Sequence, residues 1–206
     1  MDVFDQVAVA DAVTATKFIG YDHLEAESTV VALYANGASR TEAVEGDVID
    51  LLTAVTPFYG ESGGQVGDRG IITSARGDVI QVMDTQHPTP QLTVHRGQVK
   101  RGRIQLGDKV HLEVDQKNRQ KTRLNHSATH ILHAVMREQL GSHVRQAGSL
   151  VTPDRLRFDF NHTGAISDEK LADIETTVNE RIRQDAAVAI EETSFDEALR
   201  KGALAF

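Results

Sequence analysis

The sequence predicts an α+β fold in which a small antiparallel β-barrel precedes a layer of helices and strands. Short segments rich in Val, Ile, Leu and Tyr recur between positions 18 and 114, and Gly, Pro and Asn separate them. Helical apolar periodicity begins only after position 115. We therefore expect two domains, a β-barrel over residues 1–115 and an α+β domain over residues 116–206.

The composition excludes several classes of protein. The chain is 40% hydrophobic and 25% charged, which is typical of a globular protein with a substantial core. No apolar run approaches membrane-spanning length, and the acidic start differs from a secretory signal, so we expect no membrane partner. The absence of cysteine excludes disulfides and thiolate metal ligands. These features favour a cytoplasmic protein.

The net charge of −8 lies entirely in the first half of the chain. Residues 1–115 contain 9 Lys and Arg against 17 Asp and Glu, whereas the remaining residues contain 13 of each. Such an acidic first half is unfavourable for contact with a phosphate backbone. We expect no DNA partner, and we expect any contact with RNA in the second half.

The barrel strands follow from short apolar runs between turn signals. Residues 1–15 carry few signals and are expected to begin as a loose arm. Asn36 and Gly37 predict a hairpin turn, because both residue types accept positive φ. Turns are also predicted at positions 77–78, 88–90 and 107–108. The predicted strands are residues 18–21, 24–34, 47–55, 70–74, 79–83, 92–95, 103–106 and 110–114.

A glycine-rich stretch at residues 57–70 interrupts the strands. It matches neither the dinucleotide-binding nor the P-loop fingerprint. Two interpretations remain open: a tight barrel loop that needs unusual dihedral angles, and a backbone that approaches a ligand closely. Gln65 and Glu61 are its candidate polar contacts. Its five glycines are Gly60, Gly63, Gly64, Gly67 and Gly70.

A long helix is predicted from residue 123 to Gly141, which suits the position after a helix end. It carries His126 and His130, four residues apart and therefore on one face. Two imidazoles at this spacing can chelate zinc, or they can form a polar helix face without a metal. Ser127 stands where a metalloprotease needs its Glu, and Thr129 is a candidate hydroxyl beside a substrate. The predicted inward stripe is Leu124, Ala128, Ile131 and Val135.

Four basic residues precede this helix at every second position. They form either a solvated helix start or a contact with the phosphates of a nucleic acid. Arg123, the last of them, is the candidate for substrate binding. The four are Lys117, Arg119, Lys121 and Arg123.

The remainder of the chain alternates strands and helices. Strands are predicted at residues 143–150 and 156–160, and Phe158 and Phe160 share the core face of the second. A helix over residues 168–185 begins after Ser167, and its predicted buried stripe is Leu171, Ile174, Val178 and Ile182. A strand over residues 188–192 and a short helix over residues 195–201 complete the domain.

Several of these stretches resemble one known family. The segments NHSATHILH (125–133) and GSHVRQAGSLVTPDRLRFDF (141–160), together with TPFYGESGGQVGDRG (56–70) and KGALAF (201–206), are similar to the editing domain of the alanyl-tRNA synthetases. The resemblance implies a translation-protein-like β-barrel followed by an editing (deacylase) domain. It also implies hydrolysis of Ser-tRNA and Gly-tRNA mischarged on the alanine tRNA.

The resemblance also implies a set of site residues and partners. His126 and His130 correspond to zinc ligands, and Gln146 corresponds to a residue at the zinc-centred pocket. The loop with Gly63, Gly64 and Gln65 corresponds to one that lies beside that pocket. The implied partners are the acceptor end of tRNA(Ala) and the remainder of a synthetase chain.

The chain departs from the family in one respect that concerns the metal. The family has two further zinc ligands, in a CxxxH motif beyond the position of residue 206, and ATP with Mg belongs to an aminoacylation domain that has no counterpart here. We expect an editing fragment with half of a zinc site, weak or inactive alone. The alternatives are a non-catalytic module that docks tRNA, and a self-sufficient metallohydrolase in which His133 or His162 completes the site.

Overall fold

The computed structural model describes residues 15–189, 191 and 193–203. The described residues form two compact units. The first contains the residues up to Arg123 together with Thr152–Asp154, and the second contains Leu124–Val151 and the residues from Arg155 onward. The boundary between Arg123 and Leu124 lies within a helix. The expected arm at residues 1–15 lies outside the described residues, except for its last position.

Strands dominate the first unit. Six of them form a closed antiparallel barrel in the order β11, β7, β8, β9, β5 and β2, with β2 pairing back to β11. The strands are β1 Lys17–Phe18, β2 Glu25–Ala35, β3 Ala38–Ser39, β4 Glu42–Val44, β5 Val48–Thr53, β6 Val55–Thr56, β7 Gly70–Ser74, β8 Val79–Thr89, β9 Leu92–Arg101, β10 Arg103–Gln105 and β11 Lys109–Val114. The predicted barrel is confirmed.

Strand β2 closes the barrel because it pairs with two neighbouring strands. Its first half pairs with β11, where Thr29 lies opposite Lys109. Its second half pairs with β5, where Leu33 lies opposite Leu51. The hairpin from β2 to β3 turns at residues 36 and 37, whose φ values are 53° and 75°. The predicted positive-φ turn is therefore confirmed.

The barrel core follows from the alternation of side chains along each strand. On β5, Ile49 and Leu51 point into the main core, and Leu52 belongs to a second buried cluster with Tyr34 and Val94. The main core is filled by branched aliphatic residues and by Phe58, which is fully buried. Branched side chains suit this setting because they pack well on a pleated surface.

Several strand boundaries differ from the sequence prediction: β8 extends to Thr89 instead of position 83, and β9 extends to Arg101 instead of position 95. The predicted turn at residues 88–90 is wrong at its start, because β8 continues to Thr89. Pro88 fits there because the pairing register shifts between Gln86 and Thr89, where a missing N–H is tolerated. The first strand ends at Phe18 rather than at position 21. A Cβ at Gly20 would lie 2.1 Å from the carbonyl oxygen of Pro57, so the chain turns where only glycine fits.

Three helices and one two-stranded sheet follow among the described residues. Helix α1 begins seven residues earlier than predicted, since Asp115 accepts the N–H of Asn118 at 3.0 Å and caps its start. It ends before Gly141, whose φ of 118° confirms the predicted helix stop. The elements are α1 Gln116–Leu140, β12 Gln146–Val151, β13 Leu156–Phe160, α2 Asp168–Arg183 and α3 Phe195–Arg200.

The predicted inward stripe of α1 is wrong at Leu124, which is 60% exposed. The buried row instead includes Thr122, Thr129, His133 and Met136. Two threonines can be buried because each hydroxyl donates to the carbonyl four residues earlier, at 2.9 and 2.8 Å, which satisfies its polar hydrogen within the helix.

The remaining predictions for the second unit are partly confirmed. Phe158 and Phe160 lie 6.0 Å apart as stacked rings and pack against the second unit's core of Val135, Met136, Val144 and Ile174. On α2, Ile174 is buried, but both ends of the predicted stripe are about half exposed, Leu171 at 48% and Ile182 at 46%. The first predicted strand starts at Gln146 instead of position 143, because residues 142–143 form a turn after Gly141.

The predicted strand at residues 188–192 is not formed where the chain is described. Val188, Ala189 and Glu191 have no strand pairing, while positions 190 and 192 lie outside the described residues. The last helix is confirmed with Ser194 as its cap, because its hydroxyl accepts the N–H of Glu197. No helix in the described part of the chain is both long enough and apolar enough to cross a membrane.

Candidate functional site

The two histidines of the HxxxH motif lie side by side on α1. The ring centroids of His126 and His130 are 5.0 Å apart, with 31° between the ring planes. Burial, and secondarily the neighbouring His130, lower the pKa of His126 below its ordinary value. A lowered pKa favours the neutral imidazole, which is the form that binds a metal ion. The geometry therefore suits the pair to act as two ligands of one ion.

Other histidines of the second unit do not join this pair. His133 is only 6% exposed and packs on the ring of Phe158 at 5.1 Å, so it belongs to the core. His162 lies instead against His143, with Nδ1 and Nε2 2.9 Å apart. Within the described ranges, no group of three or more His, Cys, Asp or Glu residues is arranged to hold a metal. The donors present thus fit zinc as two of its usual four ligands.

Thr129 and Gln146 are placed by different elements. Thr129 is buried on α1 and its hydroxyl donates to the carbonyl of Asn125 at 2.8 Å, which leaves its oxygen lone pairs as acceptors. Gln146 begins β12 opposite Phe160, next to an irregularity in the pairing. Its amide nitrogen donates to the Ser149 hydroxyl at 3.1 Å. The Gln146 side chain is exposed, so its amide oxygen is accessible to a ligand.

The glycine-rich loop forms a tight two-residue hairpin. The N–H of Ser62 donates to the carbonyl of Gln65 at 3.1 Å, and the reverse bond measures 3.0 Å. Gly63 and Gly64 occupy the turn with φ values of 59° and 81°, a conformation that side-chain-bearing residues rarely adopt. Gln65 is only 5% exposed. Backbone geometry therefore accounts for these two glycines without a ligand, which supports the first of the two interpretations.

Close packing accounts for other glycines of the loop. A Cβ at Gly67 would lie 1.9 Å from the carbonyl oxygen of Thr85, and one at Gly70 would lie 2.1 Å from that of Glu113. Glu61, the other candidate polar contact, accepts the side-chain amide of Gln86 at 3.0 Å. The loop is thus held against β8 and β11 by its backbone.

The sequence analysis missed a buried ion pair in the first unit. Arg119 is not a solvated charge but is buried with Asp68 of the glycine-rich loop, both side chains being 6% exposed. Its guanidinium also donates to the carbonyls of Gly20 and Pro57 at 2.6 and 2.7 Å. The only signal in the sequence was the presence of Asp68 in a glycine-rich loop. No local pattern indicates that Asp68 pairs with Arg119, which lies 51 positions further along the chain.

The other three basic residues at the start of α1 are exposed: Lys117, Lys121 and Arg123. Lys121 lies 3.9 Å from Asp154, a loose surface pair of little energetic weight. Arg123 remains available as a cation on the surface of the first unit. The prediction of four accessible basic side chains is therefore wrong for one of them.

The predicted site residues fall into two sets, one in each unit. The first unit contains Gly63, Gly64, Gln65 and Arg123. The second contains His126, Thr129, His130 and Gln146, of which the two histidines are in direct ring contact.

Comparison with known proteins identifies the family to which this chain belongs. The family of tRNA synthetases of class II (A) matches residues 2–118, more than half of the chain. The chain therefore belongs to the class II (A) tRNA synthetases.

Its relatives within this class are alanine–tRNA ligases. The chain is 47% identical over 196 residues to the enzyme of Anaeromyxobacter sp. strain Fw109-5, and that match covers 95% of the chain. It is 48% identical over 198 residues to that of Chelativorans sp. strain BNC1, and 45% identical over 197 residues to that of Sphingopyxis alaskensis. The chain spans 22% of the length of each of these relatives.

Proposed function

We propose that the chain is a segment of an alanine–tRNA ligase and that it contributes to an editing site for mischarged tRNA(Ala). The observation that carries the proposal is the adjacent pair of imidazoles on α1, His126 and His130, which are placed to bind a metal ion. This pair occurs in a chain similar to alanine–tRNA ligases. The substrates would be Ser-tRNA(Ala) and Gly-tRNA(Ala). ATP and Mg would serve the aminoacylation reaction elsewhere in the parent protein, which we place in the cytoplasm.

The physical need for such a site follows from the size of alanine. A pocket shaped for alanine cannot strongly exclude glycine, which is smaller, or serine, which adds one hydroxyl. Differences of this kind change binding by only about 1–3 kcal/mol, so a second, hydrolytic site is required for accuracy.

The chain's own residues suit ester hydrolysis in a defined way. His126 and His130 would hold a zinc ion through neutral imidazole nitrogens, and other ligands would come from outside the described residues. A bound zinc ion supplies Lewis acidity, to activate water or to orient the substrate's amino group. The Thr129 oxygen and the Gln146 amide would position the aminoacyl ester through hydrogen bonds.

A second candidate is a non-catalytic module that docks tRNA. The exposed Lys117, Lys121 and Arg123 on the first turns of α1 favour this alternative, since cations there can contact phosphate. The two candidates differ in the result of removing one imidazole. Docking needs no His126, whereas editing does.

Deacylation of Ser-tRNA(Ala) tests the proposal. The 206-residue chain, the full-length ligase and the ligase carrying His126→Ala should be compared, with zinc content measured in each. We expect the full-length enzyme to clear the ester and His126→Ala to lose at least a hundredfold in rate. His111→Ala, which removes a half-buried barrel histidine paired with Glu27, is the matched control and should retain the rate. Equal rates for the two variants would reject the editing role and favour docking.

A further inference from the structure

The first unit contains an aromatic pocket that none of the site residues assigned above lines. Its volume is about 270 Å³. Three rings form its wall: Phe18 lies 5.1 Å from Tyr21 and 6.2 Å from Tyr59 between ring centroids, at interplanar angles of 82° and 71°. Rings at these distances and angles stabilise one another edge to face. The wall is thus an aromatic surface in which the Phe18 ring contacts both tyrosine rings.

The local backbone fixes this wall in place. The N–H of Tyr59 donates to Asp68 at 2.7 Å, and its hydroxyl donates to the carbonyl of Ser62 at 3.3 Å. Phe18 is held by pairing of β1 with β6. A Cβ at Gly60 would lie 2.9 Å from the Cβ of His87, so only glycine lets the histidine reach the pocket. The pocket is therefore built before any ligand arrives.

One ring of the wall is open to a ligand. Tyr21 is 73% exposed, although a large aromatic side chain usually packs against protein. In the described part of the chain, no hydrogen bond engages the Tyr21 hydroxyl or the His87 ring. The exposed Ser62 also lines the pocket and has a hydroxyl. Flat apolar faces bordered by such donors and acceptors match a heteroaromatic ring with a polar edge.

The net negative charge of the barrel favours an uncharged ligand over a phosphate group. Residues 1–115 carry eight more acidic than basic side chains, which disfavours a phosphate backbone. An uncharged nucleobase avoids this repulsion, and aromatic side chains bind unpaired bases by stacking. The volume accommodates a single base and not a run of nucleotides.

We propose that the pocket of Phe18, Tyr21 and Tyr59 binds one unpaired nucleobase of RNA by stacking, with the His87 ring and neighbouring hydroxyls at the base edge. The inference rests on the proposed tRNA partner and adds a base-binding site in the first unit. It implies that the acidic barrel contacts RNA through a base while phosphates stay in solvent.

Nucleoside titration of the 206-residue chain, followed by NMR with ¹³C-labelled tyrosine, tests the proposal. The chain has three tyrosines, and Tyr34 is only 3% exposed, so it serves as an internal control. Adenosine, cytidine, guanosine and uridine should each be titrated, and then adenosine 5′-monophosphate. We expect at least one nucleoside to shift the signals of Tyr21 and Tyr59 but not of Tyr34. We expect no gain in affinity from the phosphate and little dependence on salt.

Matched variants decide whether the pocket is responsible. Tyr21→Ala should weaken binding about tenfold, the loss of one stacking partner, and Tyr21→Phe should retain most of it. Val48→Ala removes another exposed apolar side chain of the barrel and should leave affinity unchanged. No shift with any nucleoside, or equal loss in Tyr21→Ala and Val48→Ala, would overturn the proposal. A proline-rich peptide shifting the same signals where nucleosides do not would also overturn it.

This test is separate from the test of editing. Nucleoside binding with no deacylation by the full-length ligase would support the pocket and reject the editing role. Deacylation without nucleoside binding would leave the editing role standing and reject the pocket.

Discussion

Arg119 on α1 and Asp68 in the glycine-rich loop form a buried ion pair across 51 residues of sequence. The Nε of Arg119 donates to both oxygens of Asp68, at 3.0 and 2.9 Å, and one terminal nitrogen also contacts the carboxylate. Two further N–H groups donate to the carbonyls of Gly20 and Pro57. One guanidinium therefore joins the start of the helix to the loop and to the turn after β1. Asp68 also accepts the N–H of Tyr59, which extends the network to the aromatic pocket.

Removal of either partner should destabilise the first unit strongly. Arg119→Ala leaves a buried carboxylate without its cation, and a broken buried pair costs about 3–5 kcal/mol. Arg119→Lys should restore little, because an ammonium cannot reproduce the planar fork that meets three acceptors at once. Urea unfolding followed by circular dichroism measures the loss. The control is Arg123→Ala, an exposed Arg one turn further along α1, which should change stability by less than about 0.5 kcal/mol. A loss below about 1 kcal/mol for Arg119→Ala would contradict the assigned role.

The barrel could be predicted from the sequence because its signals are local. Alternating apolar residues and the turn at Asn36 and Gly37 each specify a conformation within a few positions, and the structure confirms them. Burial of Arg119 could not be predicted in this way. Its spacing from the other basic residues is the same whether it faces solvent or a carboxylate, and its partner belongs to a distant loop.

The candidate site shows the same division between local and long-range information. Adjacency of His126 and His130 follows from helix pitch alone, so the sequence predicts it. Which face of α1 becomes buried depends on the elements that pack against the helix. In the structure, Thr129 and His133 are buried, whereas Leu124 is exposed. Helical periodicity is read from apolar residues alone. A threonine can take a buried position instead, because its hydroxyl donates to a backbone carbonyl of the same helix.

His95 should make the stability of the barrel depend on pH. It is fully buried between Thr56, at 2.7 Å, and the carbonyl of Leu51, at 2.9 Å, and burial lowers its pKa to about 4 from 6.5. Between pH 4 and pH 6.5, His95 therefore binds a proton in the unfolded chain but not in the folded chain. Stability is fully present above pH 6.5 and falls as the pH drops towards 4, by up to about 3 kcal/mol.

Urea midpoints at several pH values measure this loss. His95→Gln should be less stable at pH 7 but should show a smaller decline between pH 6.5 and 4, because one titrating group is absent. His23→Ala, at an exposed position, is the control and should keep the wild-type decline. Identical declines in His95→Gln and the wild type would contradict the assignment to His95.

Substitutions of glycine should separate close packing from turn geometry in the loop. Gly67→Ala places a Cβ 1.9 Å from the carbonyl oxygen of Thr85, so backbone must move and the barrel should lose more than about 2 kcal/mol. Gly63→Ala meets no atom within 4 Å and should cost only about 1 kcal/mol, the strain of its positive φ. Thermal unfolding of both variants measures the difference. A larger loss for Gly63→Ala than for Gly67→Ala would contradict this division between turn geometry and close packing.

Zinc added to this chain should bind weakly and through one histidine pair. His126 and His130 offer two ligands, so affinity should fall well short of the roughly 10–16 kcal/mol typical of complete structural zinc sites. Calorimetric titration should show binding that His126→Ala and His130→Ala each abolish. Protons compete for the same nitrogens, so affinity should decline with falling pH. Because burial lowers the pKa of His126, its imidazole stays unprotonated at a lower pH than that of an ordinary histidine.

The second histidine pair provides the decisive control for this titration. His143 and His162 also present ring nitrogens 2.9 Å apart, but they belong to the loops that flank β12 and β13 and not to the HxxxH motif. We expect His143→Ala to bind zinc as the unaltered chain does. If His143→Ala abolishes binding and His126→Ala does not, the metal belongs to the second pair. The HxxxH motif would then be a polar helix face in this chain, and the zinc-dependent part of the editing proposal would fail.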